Sequence, residues 1–141
     1  MAATNPGGAM AAEIDAEVAK FREIQAQLAK VQSDLQTVMG QYTENEMVNQ
    51  ELQLVNESQT VYKMIGPVLI KNSLEDARET VKKRLEFITA EKDRLEKQAK
   101  DLEKKGNDIA VKVQQMQGAL QQATAAAVNE VAKAAAAEAN A

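Results

Sequence analysis

Apolar residues recur every seven positions from Ile14, through Phe21, Leu28, Leu35 and Tyr42. A second series, set three residues later, holds Ile24, Val31, Val38 and Leu52. These are the a and d seats of a heptad, so the spacing predicts a helix over residues 13–55. Glu17, Asn45 and Asn49 leave gaps in the pattern. The two asparagines read equally as polar seats that fix register or as a local fault where the helices part. A cleaner seam follows: Leu74, Val81, Ile88, Leu95, Leu102, Ile109, Met116 and Ala123. Its companion seats are mixed: Arg78, Leu85, Lys92, Ala99, Gly106, Val113 and Leu120. This second seam predicts a helix over 74–122, opened by Ser73 as N-cap with Glu75 and Asp76 in its first turn. Residues 1–12, with Pro6-Gly7-Gly8, read as a disordered arm. The alanine-rich tail, 123–141, has high helix propensity but little to bury, so it is expected to fray.

Between the helices the period changes. Asn56 to Thr60 break the heptad, and residues 56–73 then hold a short apolar hairpin. Strand one covers about Thr60–Ile65 and strand two about Val68–Lys71. Gly66-Pro67 supplies the turn, where proline's missing N–H does no harm. Pairing the helices antiparallel sets Ile14 opposite Met116, Phe21 opposite Ile109, Leu28 opposite Leu102 and Leu35 opposite Leu95. The centre of that symmetry is residue 65, at the hairpin tip. Parallel self-dimers remain compatible with the same heptads.

A lone two-stranded hairpin is marginal in water. This one carries apolar residues on both faces, and a single helical pair cannot cover them. A simple helix connection would be two to eight polar residues. The segment therefore reads as a strand pair donated to a shared sheet. The interface residues would be Val61, Tyr62, Met64, Ile65, Gly66, Pro67, Val68, Leu69 and Ile70. The other end of the paired helices holds Ile14, Val18, Phe21, Ile109, Val113, Met116 and Leu120. Glu17 and Gly106 interrupt the seam there and are expected to loosen it. A splayed tip would expose an apolar patch. Alternatively, those residues only close the seam.

Composition narrows the function. The chain has 141 residues and only 3% aromatics, with Phe21, Tyr42, Tyr62 and Phe87 making up the set. It fits long helices better than a compact core. Cysteine and histidine are absent, which removes the thiolate nucleophile, the zinc-thiolate site and the commonest general base. No phosphate-binding loop or EF-hand pattern occurs. An enzyme is not expected, and neither is a cofactor. Net charge is -4 with no basic block, which argues against nucleic acid. Residues 1–60 carry 3 basic and 9 acidic side chains, whereas residues 61–141 carry 14 and 12. The halves attract weakly, which suits pairing between them. No apolar run approaches the roughly 20 residues of a membrane span. The N-terminus lacks a basic region followed by an apolar one, so a soluble intracellular chain is expected.

The run Val61-Tyr62-Lys63-Met64-Ile65-Gly66-Pro67-Val68-Leu69-Ile70-Lys71, followed by Leu74-Glu75-Asp76-Ala77 and Arg84-Leu85-Glu86-Phe87-Ile88, resembles the beta-type subunits of prefoldin. The resemblance covers residues 14–122 in architecture and 59–90 in specific motif. It implies a mainly α fold: an antiparallel two-helix coiled coil joined by one β-hairpin that enters an intersubunit β-barrel. It implies a cytoplasmic heterohexamer of two alpha-type and four beta-type subunits, with the coiled coils hanging from the barrel platform. Such a complex holds unfolded actin and tubulin without ATP and passes them to the cytosolic chaperonin. A plain coiled-coil scaffold or tether is the alternative; it would explain the heptads but not the apolar hairpin.

Overall fold

The computed structural model describes residues 5–140. The element order is α1 (Pro6–Leu54), β1 (Val61–Ile65), β2 (Val68–Asn72) and α2 (Leu74–Ala139). Contacts divide the chain into two units. The hairpin unit is Ala29–Lys100; the terminal unit joins the residues up to Leu28 with those from Asp101 onward.

The first helix begins seven residues earlier than the heptads predict. Asn5 caps it: its side-chain Oδ1 accepts from the Gly7 N–H at 3.1 Å, and its carbonyl accepts from the N–H groups of Gly8 and Ala9. Pro6 then takes the first helical position, where its missing N–H costs nothing. The expected arm over 1–12 is therefore helical from Pro6, and its first four residues lie outside the described residues. The second helix likewise runs on past the heptads. Alanine propagates a helix well, and no breaker stands before Ala139, so the tail expected to fray is helical. Every residue from Gln121 to Asn140 is exposed, so propensity rather than burial maintains this stretch.

In the hairpin unit most heptad seats face inward, Tyr42 being an exposed exception. Val31, Leu52, Ala77, Val81, Ile88, Leu95 and Ala99 are buried. Leu52, Ala77 and Val81 form a cluster against which Val61, Leu74 and Leu85 pack. Arg78, a companion seat, ties the chain together. Its Nε donates to the Leu52 carbonyl at 3.1 Å, and its Nη2 donates to the Leu52 and Val55 carbonyls at 2.9 and 3.1 Å. Helix α1 has no basic residue in its last turn, so Arg78 of α2 supplies the positive charge that its carbonyl end favours. Ser73 caps α2 as expected, its Oγ accepting from the Asp76 N–H at 3.0 Å. Asn45 turns back on its own helix, donating to the Gln41 carbonyl at 2.8 Å. Asn49 lines an open cleft with Tyr42, Leu85, Glu86 and Thr89. Of the two readings of these asparagines, the local fault is the one that these contacts fit.

In the terminal unit Ile14 and Leu102 are buried. The two seats expected to loosen this seam close it instead. Glu17 is only 7% exposed, and its Oε1 accepts from Lys112 Nζ at 2.8 Å and Lys20 Nζ at 3.1 Å. Gly106 is buried where a Cβ would lie 3.6 Å from Ile24 Cγ2 and 3.8 Å from Phe21 Cε2. The glycine lets Phe21 and Ile24 fill the space a larger side chain would need. Phe21, Val18, Ile109, Val113, Met116 and Leu120 are half-buried. The splayed tip is thus corrected to a closed seam with a partly accessible apolar rim.

Candidate functional site

The hairpin begins where α1 ends. Asn56 organises the connection: its Oδ1 accepts from the Ser58 N–H at 3.1 Å and from the Ser58 hydroxyl, and its carbonyl accepts from the Gln59 N–H at 3.1 Å. Strand β1 then pairs antiparallel with β2 in the register Val61↔Asn72, Tyr62↔Lys71, Lys63↔Ile70, Met64↔Leu69 and Ile65↔Val68. The turn has two residues, Gly66 and Pro67. Gly66 has φ of 58°, a left-handed conformation that an L side chain resists. Glycine first and φ positive is the pattern of a type II′ turn, whose twist matches that of paired strands.

Alternation along each strand sorts the side chains. One face holds Val61, Lys63, Ile65, Val68, Ile70 and Asn72. The other holds Tyr62, Met64, Leu69 and Lys71. Only the end nearest the helices is covered: Val61 packs on the Leu52 cluster, and Val61 and Asn72 are the two half-buried strand residues. The six large apolar residues beyond Val61 are 47–72% exposed, three on each face: Ile65, Val68 and Ile70, then Tyr62, Met64 and Leu69.

The backbone is open too. The turn's own bond joins the Ile65 carbonyl to the Val68 N–H, which makes that pair hydrogen-bonded. Hydrogen-bonded and non-bonded pairs alternate along an antiparallel ladder. The N–H and C=O groups of Tyr62 and Met64 therefore point outward from β1, and those of Leu69 and Lys71 outward from β2. Among the described residues the sheet has two strands and two free edges. Such edges template pairing with another strand. At roughly 1.5–3 kcal/mol per fully buried large apolar side chain, covering these faces would release far more than the lone hairpin gains by itself.

The nine hairpin residues singled out from sequence are all in this site. The rim residues belong to the terminal unit and not to this site, with Ile14 buried and the other six half-buried. Sequence reasoning missed Arg78, which anchors the end of α1 from which the hairpin departs. Its only signal was a charged residue in a seam seat. Among the described residues no cluster of acids is placed to hold a metal ion, and no helix is long and apolar enough to cross a membrane.

Residues 15–120 match the family described as Prefoldin subunit. Over 114 residues the chain is 42% identical to prefoldin subunit 6 of Mus musculus, covering 81% of this chain and 90% of that protein. The Homo sapiens subunit 6 is also 42% identical over 114 residues, with 81% and 88% covered. Subunit 6 of Arabidopsis thaliana is 41% identical over 101 residues, with 67% and 78% covered. Among solved structures, the prefoldin beta subunit from Thermococcus strain KS-1 superposes with a TM-score of 0.71 over 82% of this chain and 96% of that one, at 23% identity.

Proposed function

The chain belongs to the prefoldin family and is a prefoldin-type chaperone subunit, and on that premise we propose that its hairpin builds the assembly while its terminal unit meets the client. Membership implies assembly with other prefoldin subunits. The observation that carries the reading is the hairpin itself, with six exposed apolar side chains on two faces and a free edge on each side. The interface is formed by Val61, Tyr62, Met64, Ile65, Gly66, Pro67, Val68, Leu69 and Ile70, in a barrel shared by a heterohexamer of alpha- and beta-type subunits.

The complex works in the cytoplasm without ATP. It holds non-native proteins of the actin and tubulin type and hands them to the cytosolic chaperonin. Client contact falls on the rim of the terminal unit: Val18, Phe21, Ile109, Val113, Met116 and Leu120, over buried Ile14. Their partial burial supports this reading, because half-buried apolar groups can grip a chain without the seam having to open. Met116 adds an adaptable surface.

The deciding experiment is native mass spectrometry of the tagged chain, purified gently from its own cells. One copy of this chain with five other small helical subunits is the expected mass. A homodimer, or a complex with filamentous partners, would replace the chaperone reading with that of a scaffold. For the rim, Met116→Ser with Leu120→Ser should leave assembly intact and weaken suppression of client aggregation. Unchanged suppression would remove the rim from the function.

A further inference from the structure

The charged residues of the two strands have no part in that interface, and both are lysine. Strands β1 and β2 hold Lys63 and Lys71 and no carboxylate. Lys63 shares its face with Ile65, Val68 and Ile70, and that face borders a cleft also lined by Val48, Val61, Asn72, Thr80 and Arg84. The two charged groups lining the cleft, Lys63 and Arg84, are both basic. Ion pairs elsewhere are satisfied locally, as in Lys83–Glu79 and Arg94–Glu91. Among the described residues neither Lys63 nor Arg84 forms one.

We propose that the hairpin takes, along β1, a strand from a different subunit that carries a carboxylate, which Lys63 and Arg84 receive, and that the same two cations turn away a second copy of this chain. The proposal rests on the hairpin being the assembly interface. The apolar residues and the free backbone of Tyr62 and Met64 would accept any apolar strand, so they give affinity without choice. Charge supplies the choice. A second copy offers only lysines along its strands, and like charges opposite one another across strands are destabilising. Lysine on an edge strand is also a common guard against pairing between identical chains. A carboxylate at the same place makes charge-assisted hydrogen bonds to both cations. The β1 side is favoured over the β2 side because Lys63 lies on β1 and lines the same cleft as Arg84, whereas Lys71 lies on β2 and on the opposite face.

The test is a competition within the assembled complex. The full chain carrying K63E with R84E is expressed beside the wild-type chain under a different tag, in cells that supply the other subunits. Native mass spectrometry reads the share of each tag in the complex. The reversed variant should fall about tenfold to a hundredfold behind wild type at low salt, and the neutral pair K63Q with R84Q about threefold. Both gaps should narrow at about 0.5 M salt, where the screening length is roughly 4 Å. Mixed alone, the reversed variant and wild type should form a dimer that neither forms by itself. Equal incorporation of all three chains at low salt overturns the proposal. Leu69→Asp in the same assay separates the two readings: its exclusion keeps the hairpin interface standing without the carboxylate, and its normal incorporation removes both. Isolation of the wild-type chain as a homomeric assembly overturns the rejection of a second copy.

Discussion

The hairpin unit and the terminal unit invert each other's chemistry. In the hairpin, six apolar side chains stand exposed on a sheet whose own hydrogen bonds are complete only between its two strands. In the terminal unit a glutamate, Glu17, is buried and ion-paired in the line of seats that continues through Ile24. Hydrophobicity alone therefore does not say what is inside. Apolar groups stand outside on the hairpin, where the proposed subunit interface would cover them, and a polar group is taken inside where opposite charges reach it. The hairpin is unfinished as a monomer; the helical seam beside Glu17 is finished.

The contrast can be broken most sharply by a pair of substitutions. Leu69→Asp alters an exposed strand residue, so the thermal unfolding of the chain alone should move by no more than about 0.5 kcal/mol. Incorporation into the complex should be lost, because a carboxylate would have to be buried there unpaired. Leu102→Ala should do the reverse. It removes a buried seam residue and should cost about 2 kcal/mol or more, while the hairpin remains able to assemble. Circular dichroism melts and native mass spectra of both variants check the crossing. A common effect of both on assembly would mean that the interface extends along the helices.

The same contrast explains what the sequence made legible. Heptad seats and the hairpin are local patterns, written in spacing and turn residues, and Leu95, Leu102, Ser73 and Gly66-Pro67 all sit as their spacing requires. The Asn5 cap is local as well but goes unread, because Pro6-Gly7-Gly8 reads as a sign of disorder. The rest depends on what stands opposite. Glu17 reads as a fault until Lys112, 95 residues away, is seen across the seam. Gly106 reads as a break until Phe21 and Ile24 fill the space beside it. Arg78 reads as a poor seam residue until the carbonyls of Leu52 and Val55 are seen at its guanidinium. A period in one helix records its own face and not the shape of its partner. The exposed hairpin was legible because its strand and turn pattern is local and no neighbouring segment of the sequence offers to cover its two apolar faces.

A smaller effect is expected at Gly106. A Cβ there would meet its nearest neighbours at 3.6–3.8 Å, ordinary contact distance. Gly106→Ala should therefore fit and, through helix propensity, stabilise the terminal unit by about 1 kcal/mol. Gly106→Leu should overpack the same space and cost about 1–3 kcal/mol as Phe21 and Ile24 are displaced. Opposite shifts in melting temperature are the expected readout. If both variants stabilise, the seam is loose at this point and the rim is more open than its burial implies.

The smallest effect concerns the buried charge. Hydrogen bonds from Lys112, then Lys20, hold the Glu17 carboxyl below its usual pKa of 4.5. A depressed carboxyl pKa in the folded state means that the unfolded chain takes up the proton first. Its stabilisation is then present in full above the ordinary value and is lost as pH falls through the folded one. Glu17→Gln should lower the melting temperature near neutral pH, and the gap to wild type should close as pH drops below about 4.5. Glu91, whose carboxyl is also held low by Arg94, is present in both proteins and cancels in the difference. The shift stays modest because Lys20 and Lys112 are 62% and 57% exposed at their side chains, so water and salt screen the pair from one side. A gap that persists unchanged into acid would mean that Glu17 acts through packing of its stem in the seam and that the seam is finished by shape rather than by charge.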